Sequence, residues 1–339
     1  MRRKRRKKRI WFWLSFWCLL LIVLTPSASI AFLGWQYLHP PKKPIAETPE
    51  VFHLDYQDVS FESQNENVTL KGWLVPAAEE TSRIVIFAHG YSENRTSANV
   101  ALHMAKALHS RSIASLMFDF RGAGESDGTM TSLGYYEKQD LLGAIDYAKG
   151  LGYEQIGLVG FSMGASTALE VAPEVPEVQA VVADSAFTNL DQYLETNLAN
   201  LHPLAEVEFM PKLAMWEASL LTGIEPETVQ PILSIQNLRD RGVFLIHAQG
   251  DEIIPASESM ELAEASASMN TVLWVSPAKK HVGTYSKETN EYLVRTTAFL
   301  SYYLDKGRHS TQTAAKKDPA DVTTRATFSG NIAREDAEL

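Results

Sequence analysis

The chain has 339 residues, 45% apolar and 21% charged, enough to bury a sizeable core. Residues 2–9 are all Arg or Lys, yet the net charge is -10, so the remainder is strongly acidic, which argues against nucleic acid as a partner. The one cysteine, Cys18, excludes an intrachain disulfide, a cysteine-rich zinc site and a thiol nucleophile in the globular part.

The basic run abuts a long uncharged stretch. No Lys, Arg, Asp or Glu occurs between Ile10 and Pro41. Trp11, Trp13, Trp35 and Tyr37 lie near its ends, as aromatic residues do at membrane interfaces. About 20 apolar residues span a bilayer as a helix. The pattern predicts a basic cytoplasmic segment over 1–9 and a transmembrane signal anchor over 10–38. A cleaved secretory signal, with Ser27 and Ser29 before the cut, is the alternative. The apolar run resumes after Ser29, which favours retention. The positive flank keeps the N-terminus cytoplasmic and puts the rest of the chain outside the cell membrane. His39-Pro40-Pro41-Lys42-Lys43-Pro44 reads as a stiff linker, taken as 39–49.

Residues 50–304 carry alternating strand and helix patterns. Apolar, β-branched runs at Val68–Val75, Ile84–Ala88, Ile113–Phe118, Ile156–Phe161, Ala180–Ala183, Val243–His247 and Thr271–Val275 read as buried strands. Helical patterns fall at Ser97–His109, Tyr135–Lys149, Ala165–Ala172, Ala256–Ala267 and Glu288–Leu304. This alternation predicts an α/β fold, a mainly parallel sheet with helices on both faces. His53–Phe61 and Val68–Val75 have no helix between them and read as an antiparallel hairpin. Leu190–Leu201, Pro211–Leu221 and Thr228–Asn237 read as a helical cap inserted over about 188–240. Residues 305–339 are polar and aperiodic, a flexible tail.

Gly160-Phe161-Ser162-Met163-Gly164 follows a strand pattern and precedes a helical one. That is the context of a nucleophile elbow, in which Gly160 and Gly164 allow the tight turn and Ser162 is raised at a helix N-terminus. The hydroxyl needs a base, and the base an orienting acid. In chain order these follow the serine. Of the later histidines, His202 lies in the cap, His309 in the tail, and His247 inside a strand, as a core residue. His281, in the loop after the last strand, is the base. Asp251, just beyond the preceding strand, is the acid; Glu252 is its neighbour, and Asp240 lies at the strand's wrong end. The oxyanion donors are the backbone amides of Met163 and Tyr91, the latter in the loop His89-Gly90-Tyr91. His89 precedes the serine and is read as a structural residue of that loop.

These segments, with Asp119-Phe120-Arg121-Gly122-Ala123-Gly124-Glu125-Ser126 and Ala183-Asp184-Ser185-Ala186-Phe187, resemble the α/β-hydrolase superfamily over about residues 80–300. The resemblance is nearest to its bacterial membrane-anchored, cell-surface branch, close to the serine aminopeptidase-like group. It implies an α/β-hydrolase fold. It also implies that Asp119 and Arg121 make bonds in a structural loop beside the site. The chain departs from the family in having Ala248 after the strand histidine and Lys279-Lys280 before His281, where glycine is usual.

The expected activity is acyl transfer to water on a carboxylic ester, needing no metal and no organic cofactor. The substrate would be a small-molecule or lipid-like acyl compound. A peptidase or amidase with the same triad is the alternative enzyme. A non-catalytic surface protein on a hydrolase scaffold is the alternative of another class.

Overall fold

The computed structural model describes residues 9–18, 32, 34–97, 99–201 and 209–316. The hairpin expected near the start is strand β1 (Gln57–Glu62) paired antiparallel with β2 (Thr69–Val75). β1 alternates buried and exposed residues, as an edge strand with one covered face does. It begins later than His53 because Pro49–Phe52 forms a short 3-10 turn and His53 takes a left-handed φ of 58°.

The rest alternates strand and helix. β3 (Arg83–Ala88), helix α1 (Val100–His109), β4 (Ala114–Phe118), α2 (Glu137–Gly150), β5 (Gln155–Phe161), α3 (Met163–Val171) and β6 (Val178–Asp184) follow in order. Two cap helices come next, α4 (Leu190–Leu201) and α5 (Phe209–Thr222). Then follow β7 (Gly242–Ala248), α6 (Ala256–Ala265), β8 (Thr271–Ser276) and α7 (Thr289–Lys316). The eight strands form one sheet in the order β1-β2-β4-β3-β5-β6-β7-β8. All pairings from β4 to β8 are parallel.

The parallel core explains the continuous apolar runs. Every residue of β4, β5 and β7 is buried, because helices cover both faces. One apolar cluster lies on the α2 and α3 side of the sheet, the other on the α1 and α7 side. The parallel order brings the C-terminal ends of β3, β5, β6, β7 and β8 to one edge, where ligand sites of open α/β sheets collect.

Both ends of the body differ from expectation. The tail beginning at 305 is helical to Lys316, because α7 continues past Leu304 and no proline follows until Pro319. Residues 317–339 lie outside those described. The stretch expected as a stiff linker lies against the body. The Thr131 amide donates to Leu38 O at 2.8 Å, and Leu38 is buried. Asn94 Nδ2 donates to Lys43 O and Pro44 O, Lys43 pairs with Glu93 at 2.7 Å, and Asn99 Nδ2 donates to Glu47. Leu38, the last residue of the expected membrane segment, therefore belongs to the folded body. Residues 9–18 are helical, but 19–31 and 33 of that segment lie outside the described residues. Among the described residues no helix is long and apolar enough to cross a membrane.

Candidate active site

Ser162 sits between β5 and α3 with φ 52° and ψ -118°. Such a conformation in a residue with a side chain is strained, and it persists only where the surroundings enforce it. They do so here. The Ser162 amide donates to Asp184 O at 2.8 Å, and Ser162 O accepts from Ala165 and Ser166. A Cβ on Gly160 would lie 2.3 Å from Gly164 O, and one on Gly164 would lie 2.1 Å from Ala88 O. The serine turn is thus wedged between its own helix and β3, and both glycines are sterically required.

His281 Nε2 lies 2.7 Å from Ser162 Oγ, and His281 Nδ1 lies 2.7 Å from Asp251 Oδ2. The carboxylate fixes the ring proton on Nδ1, which leaves Nε2 to accept from the serine hydroxyl. Asp251 Oδ1 accepts from the Ile253 and Ile254 amides at 2.9 and 3.0 Å. Burial would raise the Asp251 carboxyl, but hydrogen bonds from His247 and His281 hold it well below the usual carboxylate range. His247 is a fully buried strand residue, as expected, yet its Nε2 also stands 3.4 Å from Asp251 Oδ2. That nitrogen donates mainly to Ile254 O at 2.8 Å, while Nδ1 faces Ser259 Oγ at 2.6 Å. The acid therefore touches two imidazoles, of which the strand pattern indicated one only as core.

The loop after β3 passes directly over the serine. A Cβ on Gly90 would lie 3.4 Å from Ser162 Cβ. His89 is buried, with Nε2 accepting from the Phe120 amide at 2.9 Å and Nδ1 donating to Gly90 O at 2.8 Å. Burial lowers its pKa, so the ring is a neutral brace for the loop.

Asp119 is buried and accepts from the Arg95 guanidinium at 2.6 and 3.0 Å and from the Arg95 and Glu125 amides. Arg121 binds Asp140 through its amide and side chain and pairs with Glu66. Both residues brace loops, and neither lines the cavity at Ser162. Arg95, the partner that closes Asp119, was not singled out in the sequence.

The matching family model is that of the serine aminopeptidases, S33, over residues 79–230. The uncharacterized protein YqkD of Bacillus subtilis is 29% identical over 235 residues, covering 68% of this chain and 75% of its own. An acyltransferase, drtE of Aspergillus calidoustus, is 31% identical over a shorter stretch, 40% of this chain and 44% of its own. The Pyrococcus furiosus esterase Pf2001 superposes with a TM-score of 0.64 at 27% identity, over 79% of this chain and 100% of that one. The chain belongs to the α/β-hydrolase superfamily. The eight-stranded, mostly parallel sheet with helices on both faces is that fold, and the protein is a hydrolase.

The hydrolase has a cavity of about 480 Å³ beside Ser162 and His281, walled by Tyr37, Tyr91, Phe161, Tyr193, Ile253 and Val282. Ser97 also lines it, with its buried hydroxyl unbonded among the described residues. Tyr37, Tyr193 and Ser97 carry no sequence motif; tertiary packing alone brings them here. Among the described residues no cluster of His, Cys, Asp and Glu is arranged to hold a metal.

Asp184, whose main-chain oxygen holds the Ser162 amide, carries a buried carboxyl. Burial pushes its carboxyl up to about 6, against hydrogen bonds from Tyr292 and Ser185. A folded-state value above the ordinary 3.8 means that the stabilisation is fully present below about 4 and is lost as pH rises through 6. Asp184→Asn does not titrate. Relative to wild type, the variant should gain about 2 kcal/mol of stability between pH 4 and pH 7, read by urea denaturation at both. A stability difference that does not change with pH would refute the assignment.

Proposed function

We propose that the hydrolase is a serine esterase that forms an acyl-enzyme on Ser162. The observation that carries this reading is the unbroken line from Asp251 through His281 to the Ser162 hydroxyl, with two contacts of 2.7 Å. Ser162 Oγ attacks the ester carbonyl as His281 Nε2 takes its proton. The imidazolium so formed is stabilised by Asp251. The amides of Tyr91 and Met163 receive the developing oxyanion. His281 then protonates the leaving alkoxide, and water repeats the sequence on the acyl-enzyme.

A peptidase acting on aminoacyl amides is the second reading, and the family match favours it. An aminopeptidase needs a negative group for the substrate's ammonium. Glu93, the carboxylate that lines the cavity, is already paired with Lys43 at 2.7 and 2.8 Å. The cavity's aromatic and aliphatic wall suits an uncharged acyl group, and the similarity to an esterase supports the same choice. The deciding assay is a panel of esters, thioesters and aminoacyl amides on the full chain, with serine-directed fluorophosphonate labelling. Esters should be the preferred substrates. Preference for aminoacyl amides would replace this reading with the peptidase, and a wild-type protein that neither labels nor hydrolyses would leave a non-catalytic surface protein.

The same proposal puts the esterase at the outer face of the cytoplasmic membrane, held by the uncharged segment before Tyr37. The basic flank at 2–9 supports that orientation. Protease added to intact cells should digest the folded body. Full protection of the body with an accessible N-terminus would reverse the orientation.

A further inference from the structure

One wall of the cavity comes from neither the sheet nor the cap. Tyr37, near the end of the uncharged N-terminal stretch, stacks on Tyr91 with ring centres 4.7 Å apart and planes 20° off parallel. The Tyr91 hydroxyl donates to Tyr37 O at 2.6 Å. The Tyr37 hydroxyl stands 3.3 Å from that of Tyr193 on cap helix α4. Tyr193 in turn stacks on Phe187 at 5.3 Å. The next residue, Leu38, is 8% exposed and belongs to the core. Tyr37 is therefore held by the loop over the serine, by the cap and by its own buried neighbour, and it lines the cavity that holds Ser162 and His281.

We propose that Tyr37 is a specificity-determining residue of the esterase, its ring setting how long an acyl group the cavity accepts. The inference rests on the esterase reading. It makes the end of the uncharged stretch part of the active site. An acyl chain gains about fourfold in binding for each methylene it buries. Once a chain reaches Tyr37, a further methylene must displace a ring fixed by a stack and a hydroxyl contact, on a backbone held by Tyr91, and the gain stops.

Tyr37 also steadies Tyr91, whose amide is assigned to the oxyanion. Loss of that support would slow every ester by the same factor. Loss or enlargement of a wall reorders the esters, so the ratio between long and short chains separates the two roles.

The test uses the full-length protein in detergent micelles and nitrophenyl esters from acetyl to dodecanoyl. Tyr37→Ala should raise the long-to-short ratio of kcat/KM about tenfold, the effect of one to two extra buried methylenes. Tyr37→Trp should shift it in the opposite direction. Tyr37→Phe, which keeps the ring, should leave it within about twofold of wild type. Active Ala and Trp variants that keep the wild-type order of preference would overturn the proposal and leave the esterase reading intact. If Tyr37→Ala does not fold, the Trp variant decides alone. Wild-type protein that neither hydrolyses any ester nor takes up fluorophosphonate would sink the esterase reading, and the proposal with it.

Discussion

Ser162→Ala is expected to lower ester hydrolysis by about 10⁴- to 10⁶-fold in kcat/KM and to abolish fluorophosphonate labelling, the range found when a serine nucleophile is removed from an intact triad. The prediction is sharp because the substitution deletes one atom from a turn that does not depend on it. The Ser162 backbone bonds to Asp184, Ala165 and Ser166 are made by the main chain. The strain at φ 52° is shared by any residue with a Cβ. The variant should therefore unfold at the wild-type urea midpoint, and lost activity cannot be blamed on lost structure. Ester turnover within tenfold of wild type would mean that another group is the nucleophile.

Asp251→Asn is the second large effect, about 10⁴-fold in kcat, the scale of an imidazole held in the wrong tautomer. The amide can still offer an oxygen to the Ile253 and Ile254 amides, as Oδ1 does now. Its NH₂ group would then face His281 Nδ1, where a donor meets a donor. The ring must turn or move its proton to Nε2, and either change takes the acceptor away from Ser162. Stability should respond to pH in the sense opposite to Asp184. The Asp251 carboxyl is held below its ordinary value, so its stabilisation is present above the unfolded pKa near 4 and fades as pH falls through the acid range. Wild type and variant should converge in stability toward low pH. Loss of less than tenfold in kcat would remove Asp251 from the mechanism.

The sequence carried what local pattern can carry. Continuous apolar runs such as Ile156–Phe161 identify strands of a doubly covered sheet, and strand-turn-helix punctuation identifies Ser162. Its place in the loop after the last strand then separates His281 from His247, which lies inside a strand, although 119 residues lie between the serine and its imidazole. Long-range packing is what local pattern leaves out. Tyr37 meets Tyr193 across 156 residues, and Arg95 closes on Asp119 from a loop with no periodicity. Proline-rich 39–44 has the composition of a spacer, and only its hydrogen bonds to Asn94 reveal that it is part of the body. The continuation of α7 to Lys316 escaped for a related reason: the polar sequence after Leu304 has no apolar stripe to mark a helix.

The order of strands in the sheet has a consequence for how activity is lost. The serine rides on β5, in the protected middle, but the imidazole follows β8, the outermost strand, which pairs only with β7. Val272 and Leu273 of that strand are exposed. Boundary elements of this kind open at lower free energy than the interior they flank. Fraying of one margin would carry the base out of reach while seven strands stay paired, so on warming turnover should fail ahead of the cooperative melt.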